Sequence, residues 1–344
     1  MIRIFTTICI STVVMVCQAA SPKHETLRLE PVGGRPHPPV VTALAYSPQL
    51  KLLAAGGDDH AIRLLDMETK QVVRVLSGHD DWVRTLHFSP DGNLLVSAGN
   101  DTQVIIWNRS ESWAPRQRLS DGPSVACVRF APDGRTIATV GFRAQLDVLG
   151  TQTGQTEFNC GCTDLRAVAY SPDGRLIACA GRTGHLHLIT AIGLQLVAEE
   201  SLHAGRVRGI EFQANTSTFV SCAEDGSVCA YDCARRLQTS AAIVPSCKLY
   251  CISSLSNEIV AVGGSDNLIH LIDLKTNDLI SQWEGHTGSV AAMVRCGDVL
   301  VTAGFDTTLR LWNLNHKNLS GDRVADSHLL RGDGDSSGET IAPR

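Results

Sequence analysis

A pentapeptide returns along this chain at a nearly fixed step. Phe88-Ser89-Pro90-Asp91-Gly92 recurs as Phe130-Ala131-Pro132-Asp133-Gly134 and as Tyr170-Ser171-Pro172-Asp173-Gly174, with Tyr46-Ser47-Pro48 as an earlier, eroded copy. The second residues of these copies, 47, 89, 131 and 171, stand 42, 42 and 40 positions apart. Carrying the step onward reaches Phe212-Gln213, then the Ser254 region, then Val294 to Asp298, which makes seven units. A period of roughly 40–45 residues is that of a propeller blade, and repetition also answers a problem of size. At 344 residues the chain exceeds the roughly 250–300 at which one compact core stops growing. A repeat architecture grows its core unit by unit instead.

Within a unit the pattern is that of strands. Val83, Leu86 and Phe88 precede a Pro-Asp-Gly turn; Leu94 to Ser97 follow, then a Gly99-Asn100-Asp101 turn, then Val104 to Trp107. Short β-rich runs separated by Gly and Asp turns are hairpin signals, and no segment sustains a helical period. The expected fold is all-β: a seven-bladed propeller of four-stranded antiparallel blades. The fourth strand of each unit, such as Gln71 to Leu76, is weaker and belongs at the outer edge. The last unit stops at Trp312-Asn313-Leu314-Asn315 without a fourth strand, while Thr26 to Glu30 sits where an outer strand precedes each Gly-His. The N-terminal strand is therefore expected to complete the seventh blade and close the ring.

Gly78-His79, Ser97, Asp101 and Trp107-Asn108 recur in order as Gly285-His286, Thr302, Asp306 and Trp312-Asn313. This frame resembles that of WD-repeat β-propellers, and the resemblance runs from about Thr26 to Asn315. It implies a buried hydrogen-bond chain of His, Ser or Thr, Asp and Trp in each blade that keeps the motif. A variant, His203, Ser221, Asp225 and Tyr231, stands in the fifth unit. An imidazole can bridge a hydroxyl and a carboxylate through its two nitrogens. His79, Ser97 and Asp101 could be taken for a catalytic triad, but a nucleophile must face substrate, and recurrence blade after blade is what a brace does. Four units depart from the frame. The first keeps His37 and Asp59 beside Ala55 and Leu65, and the third has Asp121, Thr139, Arg143 and Leu149. The fourth has Gly161, Cys179, Thr183 and Ile189, and the sixth keeps Asp266 beside Val262 and Ile272.

Function in such a ring is expected on loops at one face, with the blades supplying rigidity. The loop positions beside each brace are Asp80, Trp82, Asn100, Phe142, Asp164, Arg182, Arg206, Glu224, Lys248 and Phe305. Aromatic and Arg anchors among mixed charges are what protein interfaces use. The expected function is a non-catalytic scaffold, a monomeric platform binding one or more proteins, with no cofactor and no metal. The alternative is an exported propeller enzyme, lactonase- or quinoprotein-like, with a metal or cofactor in the channel. It needs carboxylates converging from several blades, where the frame offers apolar strand starts.

Thirty Lys and Arg against 35 Asp and Glu leave a formal charge of −5, which gives no long-range attraction to nucleic acid. Residues 1–19 read as a signal peptide: Arg3, an apolar run from Ile4 to Cys17, then small residues around Cys17-Gln18-Ala19. That places the mature chain outside the cytoplasm, secreted or periplasmic, with no membrane span; an uncleaved anchor is the second choice. Lipid attachment at Cys17 would follow an unusually bulky Val16. Residues 316–344 lack apolar periodicity and read as a disordered tail. Its Arg331-Gly332-Asp333 is a tripeptide too common to carry a function. A calcium loop begun at Asp333 would place Arg344 where a bidentate Glu is required.

Of 12 cysteines, ten lie beyond residue 19. Cys127, Cys179, Cys222, Cys229 and Cys251 fall on strand positions, where Cys behaves as a small buried hydrophobe. Cys160 and Cys162 are the pair most open to oxidation, and they lack the second pair a zinc site needs. His185 and His187 share one side of a strand, with no acidic partner near in sequence, and read as a solvated face.

Overall fold

The computed structural model describes residues 21–119, 124–142, 145–151, 156–159 and 164–314. Residues 1–20, the tail from 315 onward, and Asp121, Arg143, Cys160, Gly161 and Cys162 lie outside the described residues. Seven antiparallel sheets of four strands each follow one another. Six are built from consecutive strands, for instance Val83–Phe88, Leu94–Gly99, Val104–Asn108 and Ala114–Leu119. The seventh joins the two ends of the ring: His24–Arg28 pairs with Thr308–Asn313, beside Val299–Gly304 and Val290–Cys296. The closing strand begins two residues earlier than the expected Thr26 start, with His24 opposite Trp312 and Arg28 opposite Thr308. Leu29, just past it, is buried against Leu53, Leu65, Val301 and Leu309. The anchor side chain thus follows the strand, because the chain must turn inward there to reach the first blade.

Burial falls from the middle of each blade outward. The second strand of every blade is buried along its last five residues, whereas Val72–Ser77 on an outer edge buries only Leu76. Middle strands are covered by neighbouring blades on both faces, so they read as continuous apolar runs; outer strands meet water and turn polar. Trp107 packs with Ile62 and Leu64 of the preceding blade, and Trp312 stacks on Trp283 at 5.5 Å between ring centres. The Pro-Asp-Gly turns need glycine, since Gly92, Gly134 and Gly174 have φ of 73°, 70° and 72°.

All seven innermost strands carry a β-bulge at the same place. The ladder pairs the first and third residues and skips the second, as between Val83 and Thr85 or Val207 and Gly209. The skipped residues are Thr42, Arg84, Ala126, Arg166, Arg208, Tyr250 and Ala291. A bulge frees one side chain from the alternation of the strand and re-aims it. All seven of these residues line the central channel.

Candidate functional site: a braced loop face around the channel mouth

In the second blade, His79 Nε2 lies 2.7 Å from Ser97 Oγ, and His79 Nδ1 lies 2.7 Å from Asp101 Oδ2. Trp107 Nε1–H donates to the same Ser97 oxygen at 2.8 Å. One assignment uses every donor: the indole to the hydroxyl, the hydroxyl to Nε2, and Nδ1–H to the carboxylate. The seventh blade repeats it through His286, Thr302, Asp306 and Trp312 at 2.8–2.9 Å. Burial alone would raise the Asp101 carboxyl, but the hydrogen bond from His79 and two backbone N–H groups hold it below its usual range. The same balance keeps Asp306 well below it. Ser97 is fully buried, beyond reach of any substrate.

The fifth blade is wired differently from the expected variant. His203 Nε2 meets Ser221 Oγ at 2.7 Å, but Nδ1 meets Ser227 Oγ at 2.5 Å, and Ser227 passes the link to Asp225. Tyr231 does not join; its hydroxyl donates to Glu200 at 3.3 Å. A phenol extends further than an indole N–H and overshoots the hydroxyl that Trp107 reaches.

Two further braces pair a frame carboxylate with a cation the frame does not contain. Asp59 pairs with Arg63, not with His37: Arg63 Nη2 donates to Asp59 Oδ2 at 2.5 Å and to Glu30 O at 2.6 Å, with both side chains buried. In the sixth blade His270 Nε2 donates to Asp266 Oδ2 at 2.7 Å. Arg63 and His270 occupy the third strand at the site of Ile105 in the second blade. The carboxylate was legible in sequence; its cation, four residues on in the third strand, stands where the frame has an apolar residue and was not read.

Cys247, Asp266 and His270 bring donor atoms within 4.8 Å of one another. Thiol, carboxylate and imidazole are a zinc-type set. Here the donors are already engaged: His270 Nδ1 lies 3.3 Å from Gln282 Nε2, Asp266 Oδ1 accepts from Leu268 N–H, and burial holds the Cys247 thiol up. The trio is the brace of its blade. His185 Nδ1 lies 3.4 Å from Glu199 on the adjacent strand, an acidic neighbour that sequence distance concealed. All eight cysteines among the described residues are free and buried.

The loop before each innermost strand is tied to the loop after the second strand by one backbone bond. Asn100 N–H donates to Trp82 O at 3.0 Å, Phe142 to Ser124 at 3.2 Å and Arg182 to Asp164 at 3.1 Å. Glu224 to Arg206, Ser265 to Lys248, Phe305 to Ser289 and Asp58 to Val40 complete the set. Glycine precedes the donor in six of the seven; at Gly99 a Cβ would come within 2.0 Å of Trp82 O. Nine of the ten loop residues named from sequence take part in these ties, and Asp80, the tenth, accepts from Gln103 and donates its N–H to Asp101. All therefore lie at one end of the ring. Phe142 and Phe305 are 60% and 48% exposed.

Sequence reasoning missed the channel wall behind these loops. The apolar strand starts are buried in the blades, and the bulged residue after each one faces the channel. Its cavity of about 540 Å³ is lined by five arginines, Arg84, Arg129, Arg166, Arg208 and Arg295, and by one acidic residue, Glu211. The readable signal was positional: three arginines at the second place of equivalent strands.

A family model described as the first β-propeller of IFT122 matches residues 40–294, and the WD domain, G-beta repeat model matches residues 277–313. The chain is similar to WD repeat-containing protein 82 of Drosophila melanogaster, at 26% identity over 121 residues. That match covers 34% of this chain and 38% of the relative, so it spans well under half of either.

Proposed function

Because the chain belongs to the WD-repeat β-propeller family, we propose that it is an exported, non-catalytic scaffold that holds a protein partner on the loop face bearing Trp82, Phe142 and Arg206. The observation that supports this reading most is the set of seven cross-loop ties. They hold loops from every blade at one end of a rigid ring, with large aromatic side chains left in water. A rigid platform presents such anchors without an ordering cost when a partner arrives. Propellers of this family generally bind proteins and are typically non-catalytic. The channel wall, with one acidic residue among five arginines, does not gather the carboxylates that a channel-bound metal would need. Among the described residues no helix is long and apolar enough to cross a membrane.

The test is a triple variant, Trp82→Ala, Phe142→Ala and Arg206→Ala, compared with the parent for partner binding and thermal unfolding. Each true anchor is expected to contribute roughly 2 kcal/mol or more to affinity while the melt hardly moves. Equal affinity after all three changes would transfer the site to the opposite face or the rim.

A further inference from the structure

The arginines at the channel mouth are drawn together without enough negative charge to match them. Arg208 Nη2 lies 2.7 Å from Glu224 Oε1, and Arg206 Nη1 shares that oxygen at 3.4 Å. Arg166 pairs with Asp164 and lies 3.6 Å above the Phe142 ring. Arg84 donates to the neutral Asn100 Oδ1 at 2.9 Å and lies 4.7 Å over Trp82. Four guanidinium groups thus touch two carboxylates. They also feel one another: burial first, then Arg206 and Arg208, pull Arg166 down against Asp164, and burial with Arg208 does the same to Arg84 against Asp81. Arg206 Nε is buried and without a hydrogen-bond partner. A buried donor left unmatched is costly, and so is a cluster of like charges, unless a ligand completes both.

We propose that the channel mouth is a docking site for an acidic peptide segment, whose anionic side chains are received by Arg84, Arg166, Arg206 and Arg208. This rests on the reading of the loop face as a protein-binding surface and names the chemistry of the partner. The guanidinium fork takes a carboxylate or a phosphate through two parallel hydrogen bonds. The rings of Trp82 and Phe142 lie under Arg84 and Arg166, restricting those guanidinium groups before any ligand arrives. Beyond the mouth the channel wall adds Arg129 and Arg295 against Glu211, so the potential favours an anion reaching inward. A nucleic acid fits less well, because the cationic surface is a confined mouth in a chain of net charge −5 and not an extended track.

Binding of short fluorescein-labelled peptides to the full chain, followed by anisotropy, tests this. One peptide is rich in Glu, a second carries phosphoserine at the same places, a third has Gln there, and oligothymidylate serves as the rival polyanion. The acidic peptides are expected to bind, to weaken as NaCl is added, and to outlast the Gln peptide. The tighter of the two acidic peptides identifies carboxylate or phosphate as the native anion. Arg84→Gln, Arg166→Gln and Arg208→Gln should each lower affinity about tenfold. Glu224→Gln removes the internal competitor for two arginines and should raise affinity, a gain that misfolding cannot imitate. Failure of both acidic peptides at low salt, equal binding of oligothymidylate, or indifference to Glu224→Gln would overturn the proposal. A partner still held through Trp82 and Phe142 in that case would leave the loop-face reading standing.

Discussion

Trp107 and Trp312 direct their indole N–H groups at a buried hydroxyl, and that choice decides which imidazole nitrogen can face the carboxylate. In these two blades the acid end of the chain is a carboxylate held below its usual range. In the fifth blade the weak point is the imidazole. Burial pushes His203 down to about 4, only partly offset by Asp225, because a charged ring would be enclosed between two hydroxyls. The sign follows from proton uptake on unfolding: between roughly pH 6.5 and 4 the unfolded chain holds a proton on His203 that the folded one excludes. Its contribution is therefore whole above pH 6.5 and is lost on acidification, at up to about 1.4 kcal/mol per pH unit. Asp101 and Asp306 add to acid loss only below their unfolded range near pH 4. Urea unfolding of the parent and of His203→Asn across pH 7.5 to 4.5 should show a steep fall for the parent and a shallower one for the variant. Parallel curves would mean that His203 already titrates normally in the fold.

At the scale of the strand, what matters is whether an edge is left open. His24–Arg28 is the outer ladder of the last blade, and removing it exposes Thr308–Asn313 as an unpaired edge. Deleting residues 24–30 also removes Leu29 from its contacts with the first and seventh blades, and Glu30 O from Arg63. Deleting residues 320–344 removes more chain but far less apolar surface, since that stretch is dominated by Gly, Asp and Ser. The shorter deletion should lower the melting temperature and solubility more than the longer one. The reverse order in a thermal melt would show that the ring does not depend on this strand.

For the molecule as a whole, compartment and partner remain linked. Glu284 N–H donates to Ser21 Oγ at 2.7 Å, and the export proposal is tested at the N-terminus itself. Cleavage before Ala20 or Ser21 would leave the closing strand complete. Burial pushes the Cys222 thiol well up and those of Cys229 and Cys296 to about 12, which suppresses the reactive thiolate in any compartment. N-terminal sequencing of secreted protein should begin at Ala20 or Ser21. An intact Met1 on soluble protein would end the export proposal.

The number of blades and the strand-turn grammar could be read from spacing, and the His-Ser-Asp-Trp braces from the resemblance that their recurring residues carry, because each repeats from one unit to the next. The loop positions at one end of the ring were legible for the same reason. The closing strand was placed within two residues, its boundary depending on where the chain bends toward the first blade. What the tertiary structure decided is which side chains pair: Arg63 and His270, each only four residues on, take Asp59 and Asp266, and Tyr231 turns away to Glu200 on another strand. The channel mouth is the largest instance. Arg84, Arg166 and Arg208 stand 82 and 42 residues apart, and nothing local to any one of them brings it near the others. A bulge in each innermost strand turns them inward, and the closed ring makes three separate positions one charged site.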